Sequence, residues 1–105
     1  ASARVHLLID LAKVGRWPGV RDVLLAVPPP LQGHYASAIP APRRYNVLHF
    51  AAEQGKDAVV RDLLRFQADP CKLTRPVDEW DHPAAASFLA EKRGKNPTLA
   101  LALEE

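Results

Sequence analysis

The sequence predicts an all-α fold, a short solenoid of about three helix-turn-helix repeats joined by long proline-containing loops. Three observations carry this. Displaced by forty residues the chain matches itself, with seven of 21 positions identical between 5–25 and 45–65: Leu8/Leu48, Ala12/Ala52, Gly15/Gly55, Val20/Val60, Arg21/Arg61, Asp22/Asp62 and Leu24/Leu64. A further displacement of 39 brings in a third copy by its punctuation, GRWP at 15–18, GKDA at 55–58 and GKNP at 94–97. Nowhere do four or more β-branched or aromatic residues alternate cleanly with polar ones, so no strand pattern competes. The copies fall at approximately 3–27, 46–70 and 83–104, with loops at 28–45 and 71–82, inside one domain of 105 residues.

The first helix of each copy is read at 5–14, 47–54 and about 84–93, the last starting near Asp81 or His82 with Pro83 behind it. Gly15, Gly55 and Gly94 then follow an apolar run. A glycine there is the stop signal of a helix, because it reaches positive φ without a Cβ clash. Asp57 and Asn96 are placed to cap the next helix, and Pro18 and Pro97 to occupy its first position, where no N–H is missed. The second helices show apolar residues at i, i+3 and i+4: Val20, Val23, Leu24; Val60, Leu63, Leu64; Leu99, Ala102, Leu103. Helices this short are unstable alone and must stack. The remaining seven of the ten prolines punctuate connections. The segment 27–45 has no consistent period, so it is expected to be an irregular connection, functional or mobile, with Pro28, Pro29 and Pro30 as a rigid spacer. A P-x-x-P ligand motif is not formed there.

Composition limits the function. Apolar residues make up 48% of the chain and charged ones 25%, the usage of an ordinary folded domain. A net charge of +2 does not point to nucleic acid or an acidic membrane. The single cysteine, Cys71, cannot form an internal disulfide, and neither a membrane span nor a signal peptide is visible, so an intracellular protein, cytoplasmic or nuclear, is expected. The absence of methionine, even at position 1, is compatible with a processed form or an excised piece of something longer. The histidines at 6, 34, 49 and 82 have no partner at ligand spacing. Phosphate-loop, dinucleotide and H-E-x-x-H patterns are missing, so neither catalysis nor a cofactor nor a metal is expected.

In the middle copy, NVLHFAAEQGKDAVVRDLLRFQADP at 46–70 resembles the ankyrin repeat, whose pattern is roughly TPLHxAAxxGxxxVVxxLLxxGADP. Asn46 to His49 stand at TPLH, Ala51 and Ala52 at the small-residue pair, Gly55 at the glycine between helices, Val59, Val60, Leu63 and Leu64 at VVxxLL, and Ala68 to Pro70 at the tail. The outer copies keep LAKVG with VRDVLL, and LAEKRG. The copy spacing exceeds the usual ~33 residues, which lengthens the connections. Gln67 stands where the family has glycine, and it is strained if that position needs φ > 0.

The resemblance implies a protein-interaction module that binds through its loop tips and the exposed positions of its first helices. Its partner would be another protein or a domain of the same polypeptide. Mapped onto this chain, one tip is Arg43, Arg44 and Tyr45, and the other is Arg75, Asp78, Glu79 and Trp80, where a tryptophan among acids could anchor a partner. Phe50, Glu53 and Gln54 are expected to face outward, with Leu48, Ala51 and Ala52 buried behind them. The resemblance also gives His49 a structural task, hydrogen-bonding backbone between neighbouring repeats. Two arginines and a tyrosine are too few for a nucleic-acid surface, and Lys92, Arg93 and Lys95 fit a helix C-terminus. The alternative is a targeting or structural domain of a larger enzyme whose catalytic part lies outside these residues.

Overall fold

Apolar residues three and four apart, and the turns that follow them, decide where the helices lie. The computed structural model describes residues 2–104, which form seven α-helices and no strand. They are α1 (Ser2–Lys13), α2 (Trp17–Leu25), α3 (Pro29–Ser37), α4 (Val47–Glu53), α5 (Asp57–Arg65), α6 (Ala86–Lys92) and α7 (Pro97–Glu104). Helices α1 and α2, α4 and α5, and α6 and α7 pack as consecutive pairs, and α4 packs against both α1 and α6.

The apolar stripes meet in a single core. It holds Leu8, Ile9 and Ala12 of α1, Val20 and Leu24 of α2, Leu48, Ala51 and Ala52 of α4, Val60 and Leu63 of α5, Leu89 and Ala90 of α6, and Leu99 and Leu103 of α7. Each fully buried leucine contributes about 2 kcal/mol through the apolar area it removes from water. Alanines at the contacts of α1, α4 and α6 let the helix backbones approach closely.

The turns work by one mechanism. At the end of α1 the Gly15 N–H donates to the Ala12 carbonyl (3.0 Å) and the Arg16 N–H to that of Leu11 (2.9 Å), with Gly15 at φ +76°. This is a Schellman closure, which satisfies carbonyls left open at a helix end. Gly55 repeats it after α4 at φ +67°. After α5 the same pair of bonds forms from Gln67 and Ala68, and Gln67 stands at φ 71°. An L-residue in this region costs roughly 1–2 kcal/mol, partly offset by glycine's freedom when unfolded. Gln67→Gly is therefore expected to raise stability by about 0.5–1 kcal/mol in chemical denaturation.

The third turn departs from the expected register. Lys95, not Gly94, takes the positive φ, at 51°, and the Asn96 N–H reaches back to the Ala90 carbonyl (2.8 Å). Gly94 is needed for closeness instead: a Cβ there would collide with the Ala52 carbonyl oxygen and lie 3.0 Å from that of Ala90.

Of the expected caps, Asn96 accepts from the Leu99 N–H (3.0 Å) at the start of α7. Asp57 does not cap. It is already the first residue of α5, and its carboxylate takes the Arg61 guanidinium one turn on (3.0 Å). Pro18 is the second residue of α2, and Pro97 the first of α7. The helix expected over 84–93 starts only at Ala86. Ala84 is held out of it, because its N–H donates to Thr74 Oγ1 (2.9 Å) and its carbonyl accepts from the Thr74 N–H (2.9 Å).

The largest correction concerns 28–45, expected as one irregular loop with a proline spacer. Residues Pro29–Ser37 are helix α3, with Pro28 at its N-cap and Pro29 and Pro30 in its first turn, where a missing N–H costs nothing. Gln32 Nε2 donates back to the carbonyls of Leu24 (3.1 Å) and Val27 (3.0 Å), closing the end of α2 onto α3. On its other side α3 touches the turn after α5: a Cβ on Gly33 would sit 2.5 Å from the Gln67 carbonyl oxygen. Ser37 completes the join, its hydroxyl accepting from the Asp69 N–H (2.8 Å) and its carbonyl from Asn46 Nδ2 (3.2 Å). No helix among the described residues is long and apolar enough to cross a membrane.

Candidate functional site

The two loop tips, separate in the sequence, meet in space. The Arg75 N–H donates to the Arg44 carbonyl (2.8 Å), and Arg75 Nε to that of Arg43 (3.0 Å). Arg44 returns the contact through Nε to the Arg75 carbonyl (3.3 Å) and pairs with Asp81 (2.6 Å). Asp81 is further held by the Val77 N–H (3.0 Å). That backbone donor, the largest influence, holds its carboxyl below the usual range; burial opposes it, and Arg44 adds to the lowering. Arg44 and Arg75 are thus staples between the tips.

Inside the second tip, Asp78 Oδ1 accepts from the Trp80 N–H (2.9 Å), so this acid shapes the loop. Glu79 is exposed. Trp80 itself projects from the loop, 80% exposed. At the first tip, Arg43 is clamped to α1, with Nε donating to His6 Nδ1 (3.0 Å) and the guanidinium paired to Asp10 (2.7 Å). His6 and Asp10 lie four apart on α1 and so share one face.

Tyr45 lies against Phe50 with ring centroids 5.1 Å apart and edge-on to His49 at 5.7 Å. Burial, and next the Glu53 carboxylate, push its phenol up, so it stays protonated near neutrality. Ile9, Lys13, Arg43, Arg44, Tyr45 and Phe50 enclose an open groove of about 250 Å³ between α1, α4 and the first tip. Leu48, Ala51 and Ala52 are buried, while Phe50, Glu53 and Gln54 are half-buried. Gln54 does not present its amide outward: Nε2 donates to the Ala12 carbonyl (2.9 Å), clipping α4 to α1.

His49 holds this platform from behind. The Asn46 side chain accepts from the His49 N–H (2.9 Å), and the Asn46 N–H donates to His49 Nδ1 (3.1 Å), a reciprocal capping box that starts α4. Because Nδ1 accepts, the ring proton sits on Nε2, which donates to the Lys72 carbonyl (2.7 Å) in the loop after α5. Burial lowers the His49 pKa from its ordinary 6.5, partly opposed by the Lys72 carbonyl. The unfolded chain therefore takes up this proton at higher pH than the folded one. The resulting stability is full above about pH 6.5 and declines as pH falls from there towards the folded value. Denaturation midpoints are expected to fall between pH 7.5 and 5, with a shallower slope in His49→Gln, which cannot titrate.

Two residues of the groove, Ile9 and Lys13, were not anticipated from the sequence. For Lys13 the signal was present, since at the forty-residue displacement the outward position Glu53 maps onto it; Ile9 maps onto the buried His49 and carried none. Among the described residues, no three His, Cys, Asp or Glu side chains cluster to hold a metal ion. Compared with models of known protein families, with curated proteins and with solved structures, the chain gives no match.

Proposed function

We propose that the protein is a non-catalytic interaction module, an ankyrin-type stack of helix pairs that recognises a partner protein, or a domain of the same polypeptide, through its joined loop tips and first-helix face. The pairing of helices, the glycine turns after α1 and α4, and the His49 link to the loop after α5 support the ankyrin reading. One observation carries the function. Trp80 is 80% exposed on a loop fixed by Thr74–Ala84, Arg75–Arg44 and Arg44–Asp81 contacts. A large aromatic held outward on a pre-ordered loop loses little entropy on binding, and tryptophan is favoured among residues that dominate interface energy.

The test compares capture from native lysate by the wild-type chain and by Trp80→Ala. So exposed a side chain contributes within about 0.5 kcal/mol to folding, so the thermal midpoint should not move. The reading expects a specific partner to be retained by wild type and lost from the variant. Equal retention by both would remove Trp80 and the loop surface from the function.

A further inference from the structure

We infer that the groove between α1, α4 and the first tip takes an acidic peptide segment, two or more carboxylates flanking one large apolar side chain. The inference rests on the interaction reading above and names its partner chemistry. At about 250 Å³ the groove lies below the roughly 300–1,000 Å³ of small-molecule sites and suits a side chain or two of a protein segment. Its apolar surface is the Tyr45–Phe50 pair, with the core residue Ile9 behind it.

Charge decides the occupant. Three of the six lining residues, Lys13, Arg43 and Arg44, are cationic and none is acidic; the nearby Glu53 carboxylate is engaged with the Tyr45 phenol. Asp10 and Asp81, which pair with Arg43 and Arg44, do not line the groove. They order the guanidinium groups without using them up. Each guanidinium carries five N–H donors, and the contacts to His6 and Asp10, or to Asp81 and the Arg75 carbonyl, engage only some of them. Lys13 forms no ion pair among the described residues and is exposed at the end of α1. Pre-positioned arginines beside an aromatic floor suit carboxylates in fork geometry, and a free lysine at the rim adds attraction at longer range.

The experiment is selection of random dodecapeptides displayed on phage against the full chain, followed by titration of a synthesised winner into wild type, Lys13→Ala, Lys13→Glu and Phe50→Ala. The expected pool is rich in Asp and Glu around Leu or Phe. Its winner should bind about tenfold more weakly to Lys13→Glu and to Phe50→Ala, and weaken with added salt. Lys13→Ala guards against a folding artefact in the charge reversal, and thermal melts of all variants accompany the titrations. A neutral or basic pool, no enrichment, or an acidic winner indifferent to both Lys13 variants overturns the inference. A neutral winner that still needs Phe50 overturns the charge assignment while leaving the interaction reading intact, whereas partner capture indifferent to Trp80→Ala strikes that reading instead.

Discussion

Replacing His49 by alanine should destabilise the fold by about 3 kcal/mol or more, the largest loss expected from any single polar side chain here. Two costs add. The Asn46 N–H loses its partner in a fully buried position, which costs about 1–3 kcal/mol, and the part-buried Lys72 carbonyl loses its bond as well, at the lower end of that range. The vacated imidazole volume adds a packing penalty on top. In a domain of this size, that should lower the thermal midpoint by roughly 12–24 °C. His49→Gln, whose amide can replace one of the two bonds, should lose less. A His49→Ala midpoint within a few degrees of wild type would show that the capping box and the Lys72 link are dispensable.

Gly94→Ala should be the most damaging small-to-large change, at about 3 kcal/mol. The added methyl meets backbone on every side, the Ala52 and Ala90 carbonyls and the Gly55 Cα at 3.1 Å, so no flexible side chain can give way. Relief requires α6 to move off α4, which opens the contact between the second and third pairs. Gly19→Ala is the control. Its new methyl meets only the side-chain methyls of Leu11 at 3.3 and 3.4 Å, and an alanine inside α2 is favoured over glycine by roughly 0.5–1 kcal/mol. Denaturation curves should therefore show a large loss in one variant and little change or a gain in the other.

The readability of the chain follows from the range of the forces involved. Pairs α1/α2, α4/α5 and α6/α7 are legible because glycine stops and i, i+3, i+4 spacing are local properties that each segment carries in its own residues. Helix α3 is not. Its prolines are as acceptable in a helix's first turn as in a loop, only Ala36 is fully buried, and Leu31 stays exposed, so no apolar stripe marks it. What holds α3 is non-local: the Gln32 amide on the end of α2, Ser37 on Asp69, and the close pass of Gly33 under Gln67. The late start of α6 has the same origin, since Thr74 claims the Ala84 backbone from ten residues away.

The candidate site divides along the same line. Residue types at the tips were readable, and so was the burial of Leu48, Ala51 and Ala52. Which charges would also be tied into the fold was not. Arg44 and Arg75 look like a free basic surface in sequence but double as staples once Asp81 and the neighbouring carbonyls come within reach. Gln54 looks solvent-facing until the end of α1 is placed beside it.

Amide hydrogen exchange at Arg75 decides whether the two tips form one ordered surface. Its N–H lies in an irregular, exposed segment, and its protecting acceptor is the Arg44 carbonyl across the gap between the tips. If the packed helix pairs pre-order both tips together, Arg75 and the buried Thr74 should exchange slowly, with opening free energies approaching those of the α4 amides. Exchange of Arg75 at the unprotected rate, with α4 still protected, would mean two independently moving loops and contradict a preformed binding face.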